Sequence, residues 1–160
     1  MPYLIEAGIV LVAVVAQIVL SGAVSIIGAV PDLALIYVVW AAFRRGQLFA
    51  EVAGFVLGLL VDLLSSSTVG SHSLTYCVIG FLVGYFSDAE SAEQRLRNWP
   101  FLLFVALSAV VNALLWFVFF ALPGGVSFSD YMLGQIGVTV LYTTILAVVP
   151  MFYASRRPLY

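Results

Sequence analysis

Three side chains of this 160-residue chain could share one polar site: Asp32, Asp62 and His72. His72 is the only histidine, so it is the only candidate imidazole base. A nucleophilic site also needs a serine or cysteine held against the base, and the sequence fixes no serine of the Ser-rich stretch around His72 in that place. The structural alternative is that Asp62 caps this polar stretch or bonds a neighbouring helix.

Other chemistry finds little support in the sequence. A zinc site usually needs three or four closely spaced ligands, and no such cluster of His, Cys or carboxylates occurs. Cys77 is the only cysteine, so the chain has no internal disulfide. Proton relays place ionisable groups deep in membrane spans, and the middles of the predicted spans hold none. We therefore predict a protein that is not an enzyme and uses no metal or cofactor.

The elements that must position these residues are membrane helices. Apolar residues make up 64% of the chain and charged residues 9%, against about 25% charged in soluble domains, and the mean hydropathy is +1.16. The sequence predicts an all-α integral membrane protein, a compact bundle of six transmembrane helices forming one domain, 1–160. The predicted spans are about 4–24, 31–43, 48–64, 74–87, 99–122 and 131–153.

The positive charges set both the number of spans and their orientation. All six are arginines, and they form three pairs: Arg44/Arg45, Arg95/Arg97 and Arg156/Arg157. With six spans every pair lies on the same side, and short basic loops stay in the cytoplasm. Both termini are therefore predicted to be cytoplasmic, in a bacterial inner membrane, and no basic run suggests nucleic-acid binding.

Two of the predicted spans have irregular features. Span 31–43, opened by Pro31 and Asp32, has 13 residues and rises only about 20 Å. It must thin the bilayer, borrow preceding residues, or sit inside the bundle. In the last span Pro150 could bend the inner end. The residues between spans three and four, including 70–73, are predicted to form an outer loop.

Small residues and isolated amides mark the predicted contacts between helices. Glycines four residues apart place two small faces on spans three and four: Gly54 and Gly58, then Gly80 and Gly84. These faces either pack within the chain or dock a partner's membrane helix. Three amides lie well inside spans, where each bonds another helix or contributes to a substrate cavity: Gln17, Asn112 and Gln135.

Residues 31–85 carry a family resemblance in the order and spacing of their motifs. These are Pro31-x-x-x-x-Ile36-Tyr37-x-x-Trp40, Gly54-Phe55-Val56-Leu57-Gly58-Leu59-x-x-Asp62-Leu63, Ser67-Thr68-Val69-Gly70, Leu74 and Gly84-Tyr85. The stretch resembles the rod shape-determining protein MreD family. In that family a proline-led second span ending near a basic pair precedes a GFxxGxxxD helix, a small polar loop and another span.

The resemblance implies a non-enzymatic subunit of the bacterial elongation machinery, which supports cell shape and lateral peptidoglycan synthesis. Its implied partner is an MreC-like membrane protein. Through that protein it would act with the RodA glycosyltransferase, a class B penicillin-binding protein and the MreB filament. The MreD fold is similar to the substrate-binding S-components of energy-coupling-factor vitamin transporters. Such an S-component is therefore the alternative function.

Cysteine labelling tests the six-span topology. In a Cys77→Ser background, an impermeant thiol reagent applied to intact cells should label single cysteines at positions 67 and 127. Cysteines at positions 47, 94 and 157 should stay protected, because the topology places them with the arginine pairs. Protection at position 67 would contradict the six-span topology.

Overall fold

The computed structural model describes residues 15, 17, 30–65, 69–87, 96, 98–125, 127–131 and 136–155. Within these ranges the chain is helical apart from turns and short connections, with no strand. The helices are α1 (Leu33–Arg45), α2 (Gln47–Leu64), α3 (Ser71–Tyr85), α4 (Pro100–Trp116, continued by a π-helical turn, Phe117–Ala121), α5 (Phe128–Tyr131), α6 (Gly137–Leu146) and α7 (Val148–Ser155). The all-helical class predicted from the sequence is confirmed; most of span 4–24 lies outside the described residues.

Helix α1 is the centre of the bundle. Most of its 13 residues are buried, and Leu35, Val38 and Val39 are completely so. Of the three possibilities for this short span, the structure therefore favours the one in which it sits among the other helices. Pro31 lies before the helix rather than in its first turn, because Asp32 is the N-cap residue.

A single residue, Gly46, connects α1 to α2. Its φ of +83° lies in the left-handed region that favours glycine. Asp32, before α1, and Asp62, near the end of α2, both bond to residues at the start of α3. The two helices therefore run in opposite directions from this one-residue connection.

Helices α2 and α3 pack backbone to backbone over most of their length. A Cβ atom on Gly54 would lie 2.6 Å from the carbonyl oxygen of Tyr76, and one on Gly58 would overlap the backbone of Ser73. Real Cβ atoms do not approach backbone atoms this closely, so only glycine fits at either position. This close approach places the start of α3 beside the end of α2.

The second pair of glycines makes the reciprocal contact from α3. A Cβ on Gly80 would lie 2.7 Å from the carbonyl oxygen of Ala50, and one on Gly84 would overlap Gln47. Successive contacts run down α2 while they run up α3, so the helices are antiparallel. All four glycines face helices of this chain in the structure, which leaves none of them to dock a partner helix.

Helix α3 begins three residues before the predicted span. Residues 71–73, expected in a loop, form its first turn, because the carboxylate of Asp62 accepts from their backbone and side-chain donors. Gly70, with φ +100°, turns the chain into the helix. His72 is therefore a helical residue and not a loop residue.

The last predicted span is divided in two. Helix α6 ends at Leu146 and α7 begins at Val148, so the break lies at Ala147 and not at Pro150 itself. Pro150 has no N–H to donate to the carbonyl of Leu146, and its ring crowds that carbonyl. Proline therefore ends the helix one turn earlier than the predicted bend.

Two of the described helices are long and apolar enough to cross a membrane: Gln47–Leu64 and Pro100–Phe119. Large apolar side chains cover much of the exterior of α2 and α4, as expected where the surroundings are lipid. Those more than half exposed on these two helices include Leu48, Val52, Phe55, Leu63, Leu64 and Leu107.

The close contact of α2 with α3 predicts the effect of one added methyl group. Gly58→Ala should lower the unfolding temperature in detergent, because the methyl group forces the backbones apart at a cost of about 1–3 kcal/mol. Gly137→Ala is the matched control: a Cβ there meets nothing within 4 Å, so the higher helix propensity of alanine should leave the protein unchanged or more stable. Equal unfolding temperatures for the two variants would refute the close packing.

Candidate functional site

Asp32 joins four helices through its backbone and its carboxylate. It caps α1, where its Oδ1 accepts from the N–H of Leu35 at 2.9 Å. The same oxygen accepts from the Tyr76 hydroxyl of α3 at 2.7 Å. Its Oδ2 accepts from Nδ2 of Asn112 on α4 at 3.2 Å, and its N–H donates to Oγ1 of Thr143 on α6 at 3.0 Å.

Burial makes these bonds necessary. Asp32 is only 7% exposed, and a buried carboxylate is costly unless it is well hydrogen-bonded. Three donors converge on its two oxygens, and the N-terminal end of the α1 dipole adds a favourable potential. This arrangement suits the ionised carboxylate, which can only accept hydrogen bonds.

Asp62 is the cap of α3, although it belongs to α2. Its Oδ1 accepts from the Ser71 hydroxyl at 2.9 Å and from the N–H of His72 at 3.1 Å. Its Oδ2 accepts from the N–H of Gly70 at 2.8 Å, with a longer contact of 3.4 Å to the N–H of Ser73. The otherwise unpaired donors of the first turn of α3 are thus satisfied by a neighbouring helix.

His72 lies between the two carboxylates. Its Nδ1 is 2.7 Å from Oδ1 of Asp62, so this nitrogen carries a proton when Asp62 is ionised. Its ring packs against that of Tyr76, with centroids 5.7 Å apart, and Tyr76 in turn bonds Asp32. The three residues predicted to share an outer polar site, Asp32, Asp62 and His72, therefore lie in one connected cluster.

The geometry of this cluster differs from that of a nucleophilic triad. Ser71 is the serine beside His72, but its Oγ contacts the Asp62 carboxylate and the same ring nitrogen that Asp62 holds, at 3.3 Å. In a triad the serine bonds the nitrogen opposite the carboxylate. Ser71 is also buried, with 2% of its surface exposed. These contacts are those of a helix cap.

Two of the predicted interhelical amides belong to the same region. Oε1 of Gln17 accepts from the N–H of Leu33 at 2.7 Å, which provides a further side-chain acceptor for the backbone at the start of α1. Asn112 bonds Asp32, as described above, while its buried Oδ1 has no hydrogen-bond partner within the described part of the chain. Gln135 lies outside the described residues.

A cavity of about 210 Å³ opens beside Asp32. Its walls come from the region before α1, from the first turns of α3, from the second half of α4 and from the start of α6. Polar and apolar groups both line it: Gln17, Val30, Asp32, Leu35, His72, Tyr76, Ala109, Asn112, Ala113, Trp116, Ile136 and Thr139. Four of the sequence-predicted polar residues thus line one cavity: Gln17, Asp32, His72 and Asn112.

Several members of this site were not singled out from the sequence. Tyr76 and Thr143 supply bonds to Asp32, and Trp116 and Thr139 line the cavity. A signal existed for Tyr76, which lies one helical turn after His72 and so shares its face. The sequence gave no comparable signal for Thr143, because its contact with Asp32 joins residues 111 positions apart.

One predicted arginine pair lies within the described residues. Arg44 and Arg45 end α1, where positive charge complements the helix dipole. Their guanidinium groups lie over the rings of Trp40 and Phe49, with distances of 5.1 Å and 5.4 Å from Cζ to the ring centroids. The pair lies at the end of α1 opposite to Asp32. Arg95, Arg97, Arg156 and Arg157 lie outside the described residues.

The family model described as rod shape-determining protein MreD matches residues 1–152. The chain therefore belongs to the MreD family, and the resemblance carried by the motifs of residues 31–85 is confirmed. It is a family of membrane proteins that act in determining rod shape and are not known as enzymes. Comparison with curated proteins found no match, and neither did comparison with solved structures.

Removing the Asp62 carboxylate should destabilise the α2–α3 pair at the start of α3. Asp62→Ala leaves several donors of the first turn of α3 buried without an acceptor, and we expect a loss of more than about 2 kcal/mol in unfolding free energy. Amide hydrogen exchange at residues 70–73 should accelerate. Ser127→Ala is the control, since Ser127 is exposed and its one hydrogen bond within the described residues joins it to the exposed Ser129. Unchanged exchange at residues 70–73 would show that Asp62 is not the cap.

Proposed function

We propose that this member of the MreD family is a non-enzymatic inner-membrane subunit of the bacterial elongation complex. It would support rod shape and lateral peptidoglycan synthesis by associating with an MreC-like membrane protein. RodA, a class B penicillin-binding protein and the MreB filament would be reached directly or through that partner. The family match over residues 1–152 is the observation that carries the proposal.

The topology proposed for this function has six spans in one domain of residues 1–160, with both termini in the cytoplasm. The arginine pairs support it, because six spans place all of them on one side. The antiparallel course of α1, α2 and α3 also fits, since consecutive spans must alternate in direction. In this orientation Asp32, Asp62 and His72 lie toward the outer surface.

Association with a partner would not use the glycines of α2 and α3, because they already contact each other's helices. It would not use the Asp62 carboxylate directly either, since Asp62 is 1% exposed and caps α3. These residues would act indirectly, by holding the outer end of the bundle in one conformation. A protein of this kind works by binding one state of its partners better than another.

The alternative function is that of a substrate-binding S-component of an energy-coupling-factor vitamin transporter. The observation that favours it is the partly polar cavity beside Asp32, which under the proposed topology lies toward the outer side. The two functions differ in what the cell loses without the protein. One predicts a change of shape, and the other predicts loss of uptake of a single vitamin.

Depletion in the rod-shaped host separates the two proposals. We expect the cells to become round, while peptidoglycan polymerisation by the isolated synthases continues in vitro, because the protein supplies organisation and not chemistry. A tagged chain should also retain an MreC-like protein on purification. Rod-shaped depleted cells that fail to take up one vitamin would replace this proposal with the S-component.

Complementation of the depleted cells adds a matched comparison. The Gly137→Ala variant should restore rod shape, because the added methyl group meets nothing. Gly58→Leu should fail, because its side chain separates α2 from α3 and disturbs the outer end of the bundle.

A further inference from the structure

The cavity beside Asp32 has features of a binding site that the role of a shape-determining subunit does not explain. Its volume is about 210 Å³, room for roughly seven water molecules at about 30 Å³ each. A bundle that only needed to pack could fill this space with apolar side chains. Instead a carboxylate, an imidazole, a phenol and two amides are gathered around it.

With Asp32 ionised, the electrostatic character of the cavity is negative. Three donors and the start of α1 stabilise the ionised form of Asp32. Among the described lining residues, His72 is the only side chain that could carry positive charge, and its Nδ1 is held by the second carboxylate, Asp62. Even a protonated His72 would leave the cluster of Asp32, Asp62 and His72 with one net negative charge. With Asp32 ionised, the cavity therefore favours a cation over an anion or a neutral molecule, and a bound cation would in turn stabilise the ionised carboxylate.

The size and walls of the cavity favour an organic cation over a metal ion. A bare ion would leave most of the volume unfilled, and Oδ1 of Asp32 is already occupied by two donors. No group of three or more metal-ligating side chains occurs in the described part of the chain. The aromatic rings of Tyr76 and Trp116 line the cavity, and such rings attract ammonium groups.

The acceptor oxygens of Asn112 and Asp32 that face the cavity can accept hydrogen bonds from a ligand. Asn112 turns its Nδ2 toward Asp32, which leaves Oδ1 as a buried acceptor without a partner among the described residues. Buried acceptors are nearly always paired. Within the described residues, Oδ2 of Asp32 receives one bond, from Asn112, and has room for another. A primary ammonium brings three N–H donors, which could serve both residues after a small rotation of the Asn112 amide.

We propose that this cavity binds a primary ammonium group, with Asp32 as its counter-ion and Asn112 as a second acceptor. The group could belong to a small free amine or to the head group of an ethanolamine phospholipid, since both present the same chemistry. The inference goes beyond the proposed function and does not depend on it, because it rests on the cavity and its charge alone.

The first experiment uses the full chain purified in detergent. Ethanolamine is titrated in a calorimeter, and ethylene glycol, of similar size but neutral, is the control ligand. In a second arm the protein is placed in nanodiscs with phosphatidylethanolamine and phosphatidylglycerol, or with phosphatidylglycerol alone, and native mass spectrometry measures the lipid retained. The proposal expects ethanolamine binding in the first arm, selective phosphatidylethanolamine retention in the second, or both.

Variants test which residues hold the ammonium group. Asp32→Asn removes the charge but keeps a good helix cap, and rotation of the Asn112 amide can restore the bond between the two residues. Asn112→Leu removes the second acceptor. Each should weaken binding by about tenfold or more, as expected for a hydrogen bond to a charged group. Ser108→Ala is the matched control, because Ser108 is buried one turn earlier on α4 and does not line this cavity.

Each outcome decides the proposal. Binding of ethanolamine without retention of the lipid identifies a free amine, and the reverse identifies the head group. The proposal is overturned if neither probe binds, if ethylene glycol binds as well as ethanolamine, or if both site variants bind like the Ser108→Ala control. Circular dichroism establishes that each variant is folded. If Asp32→Asn does not fold, the Asn112→Leu variant and the comparison of the two ligands still decide.

Discussion

A buried carboxylate at the start of the central helix is the constraint on which the rest of the bundle depends. Asp32 caps α1, and its bonds reach α3, α4 and α6. Asp32 is only 7% exposed, and a buried carboxylate is costly unless it keeps its hydrogen bonds, so each bond fixes the position of a helix. The neighbours of α1 are thus held at one end by polar contacts, while the rest of α1 is held by packing.

A second constraint is the backbone contact of α2 with α3. Membrane helices gain little from leaving lipid for one another, so close van der Waals packing must stabilise their contact. The four glycines make that approach possible, and it places Asp62 within reach of the first turn of α3. The steric and polar contacts therefore depend on each other. Without the glycines the cap would not reach its donors.

Much of this organisation is readable from the sequence, because its signals are local. Apolar runs give the helical class, and the spacing of Gly54, Gly58, Gly80 and Gly84 identifies two faces that the structure brings together. What could not be read is long-range. Nothing in the sequence shows that Asp32 meets Thr143, since such a bond depends on how distant segments pack. Capping by Asp62 is one interpretation of the sequence, but the sequence does not predict the start of the capped helix at Ser71. The break at Ala147 is predictable only in part. Pro150 indicates that the last helix is interrupted, but the exact position of the break depends on the packing of the neighbouring turns.

The one-residue connection at Gly46 has a consequence for the insertion of the chain into the membrane. Helix α1 has a carboxylate at its start and a length of only about 20 Å. By itself it is therefore poorly suited to insertion into a lipid bilayer. Gly46 connects it directly to α2, a longer helix that is long and apolar enough to cross a membrane. The helices whose donors satisfy Asp32 are synthesised later, from residue 71 onward. Under the proposed topology α1 would therefore insert as half of a hairpin, and its final environment would assemble only after translation of the second half of the chain.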